Sequence, residues 1–196
     1  MFKALRVSLD VLLGDVRLGA LLLAGGLTAC AGGIVDTPYT GTYDPSMLRY
    51  VAGKGDLYTQ IVGNPFNTSK DKVESVVTGT MFGAHFGPNV RFSTTRDPDN
   101  TSPYSVVLLF NPAPSVTAIQ LCADPDPQLA TAASGQTRVM LAFCASGYRE
   151  SSVTGRVAGV TDPNDAAFRA LIRQMTVQLF PPRNLNPNGG GSDFKT

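Results

Sequence analysis

Tryptophan is absent from the 196 residues, histidine occurs once and cysteine three times. Each scarcity removes a class of mechanism. With His85 alone, a Ser-His-Asp or Cys-His reaction has a single available base. A zinc site of His and Cys ligands finds too few of both. Charge of one sign is not in excess either: 16 Lys+Arg stand against 15 Asp+Glu. Nucleic-acid binders ordinarily carry a basic excess or stripe, so no nucleic-acid partner is expected. With 43% hydrophobic and 16% charged residues, the chain is neither a disordered polyelectrolyte nor a multi-span membrane protein. Glycine (20) and proline (14) are plentiful, so turns should be many and long helices few.

The chain opens with Lys3, Arg6 and Arg17, followed by the apolar run Leu18 to Ala29 and then Cys30. A positive stretch, a short apolar core and small residues before a cleavage point describe an export signal. The 12 residues of that run are too few to span a bilayer about 30 Å thick at about 1.5 Å per residue. The positive stretch is long and contains Asp10 and Asp15, a pattern better matched by a start nearer Val16.

Leu27-Thr28-Ala29-Cys30 resembles the lipobox of bacterial lipoproteins at every position. The resemblance covers the export segment only, and the mature domain shows no family motif. It implies cleavage before Cys30, acylation of the Cys30 thiol, and the lipid bilayer as a partner through that acylated residue. Ala31, rather than Asp, implies sorting to the outer membrane, with the domain facing the periplasm. Removing residues 1–29 leaves 13 Lys+Arg and 13 Asp+Glu, so the mature chain is neutral and a covalent anchor needs no basic patch.

Four segments follow from composition: a signal peptide over 1–29, a flexible tether over 30–47, a globular domain over 48–183 and a disordered tail over 184–196. The tail, with Asn184 to Ser192 rich in Asn and Gly, has nothing to bury. Within the domain, Asp56–Val62, Val90–Thr94, Tyr104–Phe110, Thr117–Cys122, Thr137–Ser146 and Ser152–Val160 read as strands. The last two form a hairpin through Ser146-Gly147-Tyr148. Val73, Val76, Val77, Thr80, Met81 and Ala84 make a helical stripe behind caps at Asn67 to Ser69. A second stripe, Phe168, Leu171, Ile172, Met175 and Leu179, follows an expected cap at Asp162 and Pro163. The expectation is an α+β fold: one two-layer domain, an antiparallel or mixed sheet of five to six strands with two helices packed on it.

Cys122 and Cys144 remain once Cys30 is assigned to the anchor. In an oxidising compartment, two cysteines near strand ends predict a disulfide. The catalytic search finds no constellation. His85 lies just past a helix-ending glycine among aromatic residues, and Cys144-Ala-Ser146-Gly147 lacks the first glycine of a nucleophile elbow. Asp97-Pro-Asp-Asn100 and Asp124-Pro-Asp126 pair carboxylates but match turn chemistry better than cation-ligand spacing. No phosphate loop, metal site or cofactor is expected. Arg169 and Arg173, one turn apart on the last helix, have no acidic partner at i+4.

Two functional classes fit. The first is a non-enzymatic envelope lipoprotein that binds, scaffolds or helps assemble an envelope protein partner. The second is an envelope hydrolase or small-ligand-binding lipoprotein using His85 or the Asp-Pro-Asp loops.

Overall fold

Val106 to Phe110 are five consecutive buried residues, and a strand buried on both sides needs helices on both sides of its sheet. The computed structural model, which describes residues 32–125 and 135–183, has that arrangement. In chain order the elements are β1 (Ile34–Val35), α1 (Pro45–Ala52), β2 (Leu57–Val62), α2 (Lys70–Met81), β3 (Phe92–Ser93), β4 (Tyr104–Phe110), α3 (Ala118–Ala123), β5 (Gln136–Ala145), β6 (Tyr148–Ala158) and α4 (Ala166–Leu179). They form one six-stranded mixed sheet ordered β1-β6-β5-β4-β2-β3. The run β4, β5, β6 and β1 is antiparallel, whereas β2 is parallel to both β4 and β3.

Alternate residues of β4 feed two cores. Val106, Leu108 and Phe110 join the larger one, beneath Leu48 and Val51 of α1, Val73 and Val77 of α2, and Leu171 and Met175 of α4. Val107 and Leu109 face the smaller one with Leu121 and Cys122 of α3. The mixed α+β sheet is therefore as expected, but two helices in a second layer is corrected to four helices spread over both faces.

The additional helices have identifiable causes. Thr117–Cys122, expected as a strand, starts α3 through reciprocal capping. Gln120 N–H donates to Thr117 Oγ1 at 3.3 Å, while Thr117 N–H donates to Gln120 Oε1 at 2.9 Å. Such a pair satisfies two orphan amides at once and outweighs the β-branched start. Helix α1 begins at Asp44, whose carboxylate accepts from Ser46 N–H at 2.7 Å, with proline in the first turn. Hydrogen bonding from the Ser46 side chain first, and then from its backbone N–H, holds the Asp44 carboxyl below its ordinary range, ahead of the weaker attraction of Arg49. In α4 the cap is Asp165, not Asp162; the latter closes the preceding turn by accepting from Asn164 N–H at 2.8 Å.

Within the expected tether over 30–47, the described residues touch the sheet at several points. Ile34 and Val35 pair with Arg156 and Gly155, and Tyr39 bridges to Ser152. Tyr43 is fully buried, its ring meeting Phe143 and Phe180 edge-on at 6.0 Å from each. Burial, with the Asp44 charge beside it, pushes the Tyr43 phenol up to about 12. The Arg149 guanidinium lies over the Tyr39 ring at 3.5 Å, and Thr42 hydrogen-bonds Glu150. Aromatic residues spaced along a Thr- and Pro-rich segment thus bind it to β6, burying apolar area that composition alone averages away.

Candidate functional site

Four places carry the chemistry singled out in the sequence. The first is the cysteine pair. Cys122 lies one residue before the end of α3 and Cys144 one before the end of β5, both buried, with Cα atoms 5.6 Å apart and sulfurs joined. The bond pins α3, on the smaller face, to the sheet. Cys30 and the signal segment lie outside the described residues, as does the 184–196 tail.

The second is His85. Its ring packs edge-on against Phe92 at 5.7 Å and Phe180 at 6.0 Å. Its Nδ1 lies 3.5 Å from the Phe86 carbonyl, at the limit of a hydrogen bond, and its buried Nε2 has no partner. The rings of Phe92 and Phe180 flank this imidazole.

The third comprises the acidic loops. Asp97 Oδ1 accepts from Asp99 N–H at 3.0 Å, and Asn100 Oδ1 accepts from Ser102 N–H at 2.9 Å. Asn100 Nδ2 also donates to the Asp56 carbonyl at 3.1 Å. These side chains cap their own turns. Asp124 is the C-cap of α3, its N–H donating to Gln120 O at 2.7 Å, and Asp126 lies outside the described residues. Among the described residues, no group of three or more His, Cys, Asp or Glu side chains is placed to hold a metal ion. No described helix is long and apolar enough to cross a membrane.

The fourth lies between α2 and α4. A groove of about 560 Å³ runs between them, lined by Ser75, Val76, Gly79 and Thr80 from α2 and by Ala166, Arg169, Ala170 and Arg173 from α4, with Asn164 at one end. The stripe Val73, Val77 and Met81 turns the opposite side of α2 into the core, as Phe168, Leu171 and Ile172 do for α4. Ser75, Gly79, Ala166, Arg169, Ala170 and Arg173 consequently face solvent. Near the groove, Lys72 Nζ and Asp162 Oδ2 pair at 2.8 Å across the two helices' starts. That bond holds the Asp162 carboxyl below its ordinary range.

Sequence reasoning found the two arginines but missed Gly79. Its signal was available: a glycine in the third turn of a helix, where glycine costs about 0.5–1 kcal/mol relative to alanine. In this fold a Cβ on Gly79 would meet no atom within 4 Å.

No family model matches the chain, and no curated protein matches it. Among solved structures it is similar to the PelC dodecamer from Paraburkholderia phytofirmans, at 14% identity and a TM-score of 0.42. The match covers 75% of this chain and 97% of the PelC chain in one crystal form, and 75% and 96% in a second.

Proposed function

We propose that this is a lipid-anchored protein of the bacterial cell envelope, held to the outer membrane through acylated Cys30, whose periplasmic domain binds or scaffolds another envelope component. The observation that carries the reading is Leu27-Thr28-Ala29-Cys30 directly behind a 12-residue apolar run. A buried Cys122–Cys144 pair agrees with an oxidising compartment on the far side of a membrane.

The described fold sharpens the consequence of that anchor. Cys30 precedes the first residue of β1, Ile34, by four positions, and four extended residues reach at most about 14 Å. The lipid would therefore hold the β1–β6 edge of the sheet close to the bilayer rather than let the domain range freely. Two or three acyl chains on one residue give effectively permanent attachment, because each buried CH₂ adds about 0.8 kcal/mol.

Fractionation of cells expressing Cys30→Ser tests the proposal. The variant should leave the membrane pellet while the unchanged chain stays in it. Quantitative retention of Cys30→Ser in the outer membrane would mean that protein contacts, not lipid, hold it there.

A further inference from the structure

One edge of the sheet is left open along part of a strand. Strand β3 pairs with β2 at Leu57 and Tyr58 only, whereas β4 pairs with the other side of β2 from Thr59 to Val62. On the β3 side, Leu57 N–H donates to the Arg91 carbonyl at 2.8 Å. Backbone groups alternate in direction along a strand, so those of Thr59 and Ile61 also point to the β3 side, and those of Gln60 and Val62 point to β4. Past Ser93 the chain bends away, with Ser93 Oγ accepting from Thr95 N–H at 3.2 Å.

Ile61 N–H and C=O therefore have no strand opposite them, and no described loop reaches across to them. Ile61 is only 4% exposed. Backbone groups so nearly closed off from water are almost always hydrogen-bonded, and leaving a pair unmade costs the isolated domain stability that a ligand would return. A second groove, of about 560 Å³, runs beside them, walled by β2, by Thr94 and by Lys70 and Glu74 of α2. Lys70 and Glu74 pair with each other at 3.5 Å, so the groove selects no net charge. Such a pair contributes little where one partner is exposed, and that wall opens at little cost.

What Ile61 offers is one donor and one acceptor on a single residue. A phosphate or carboxylate takes the N–H and leaves the C=O unpaired; one residue of an antiparallel strand exchanges both bonds with the residue opposite. We propose that this groove takes an extended, uncharged segment of a partner protein, which adds antiparallel to the β2 edge at Ile61. Main-chain bonds hold the segment, and its alternate side chains lie on the Tyr58, Gln60 and Val62 side of the sheet. The proposal rests on the reading of the chain as a binding protein, and names the surface and the conformation of what it binds.

The test uses the full chain in detergent, amide hydrogen exchange and a displayed library of random short peptides. In the free chain the Ile61 amide should exchange faster than those of Gln60 and Val62, which bond to β4. A selected peptide should slow exchange at Ile61. N-methylation of its residue opposite Ile61 should weaken binding about ten-fold, while N-methylation of either neighbour, whose N–H points away, should be tolerated. Thr94→Trp, which fills the groove from outside the core, should abolish binding and leave the melting temperature within a few degrees of the parent. Protection of the Ile61 amide in the free chain would overturn the proposal, because the edge would already be covered. Loss of that protection on deleting residues 184–196, or on dilution, would assign the cover to the chain's own end or to a second copy. A library without binders, or binders indifferent to N-methylation and to Thr94→Trp, would overturn it as well. None of these results depends on Cys30 acylation, which is read separately from the mass of the N-terminal peptide.

Discussion

Leu171 of α4 packs so closely on Gly155 of β6 that a Cβ added at Gly155 would lie 2.9 Å from Leu171 Cδ1. The same added atom would also meet Met175 Sδ at 3.0 Å and the Ile34 carbonyl at 3.2 Å. A Cβ on Gly33 would reach Leu171 Cδ1 at 2.7 Å. A glycine in β6 and one just before β1 thus let α4 close over this edge of the sheet. Leu171→Ala should cost about 2–5 kcal/mol, the range for emptying an enclosed leucine site. Gly155→Ala should cost about 1–3 kcal/mol through overpacking against backbone as well as side chains. Denaturant unfolding of the two variants measures both. A silent Leu171→Ala would mean that α4 is not a wall of the core.

Reducing Cys122–Cys144 should destabilise the domain without redirecting its fold. The two residues are separated by 22 positions, and closing such a loop contributes about 3 kcal/mol in the chain-entropy picture. Thermal melts with and without reductant should differ by roughly 6–12 °C for a domain of this size. Because α3 meets the sheet through a small cluster, hydrogen exchange should rise first in Ala118–Ala123. Identical melts under both conditions would show that the pair contributes nothing to stability.

Tyr43 makes the fold sensitive to alkali. Burial raises its phenol from 10.0 to about 12, so the unfolded chain loses this proton at lower pH than the folded one. The stability linked to Tyr43 is intact below pH 10 and is lost as pH rises towards about 12. Tyr104 is raised in the same direction by burial, with Glu150 adding to it, so it adds to the same loss. Tyr43→Phe should retain the packing against Phe143 and Phe180 and show a shallower fall in unfolding midpoint over that window. An unchanged alkaline profile would place the proton loss elsewhere.

Local patterns that one side chain decides were legible; those needing a distant partner were not. The stripe from Phe168 to Leu179 and the strand from Tyr104 to Phe110 announce themselves because periodicity and burial agree within a few residues. The cysteine pair follows from compartment and parity, although Cys122 sits on a helix rather than a strand. The segment Ile34–Tyr43 escapes sequence reading because its aromatic residues find their partners on β6, on β5 and just past α4, 100 or more positions away. Helix α3 was lost for the opposite reason. Its capping pair is entirely local, but Thr117 and Ile119 read equally well as strand until Gln120 is considered with them. Of the groove, the arginines could be named from sequence, but their joining with Ser75 and Gly79 depends on how α2 and α4 pack.

Lipid on Cys30 is the claim on which the placement of this protein depends, and the mass of the mature N-terminal peptide tests it most directly. The chain is extracted from membranes, digested and measured without hydrolysing thioesters or esters. The account predicts a peptide that begins at Cys30 and carries a diacylglycerol mass, with the mass of a further acyl chain where the new amino group is modified. A peptide that begins after Cys30, or one that contains Ala29-Cys30 uncut and unmodified, would contradict it.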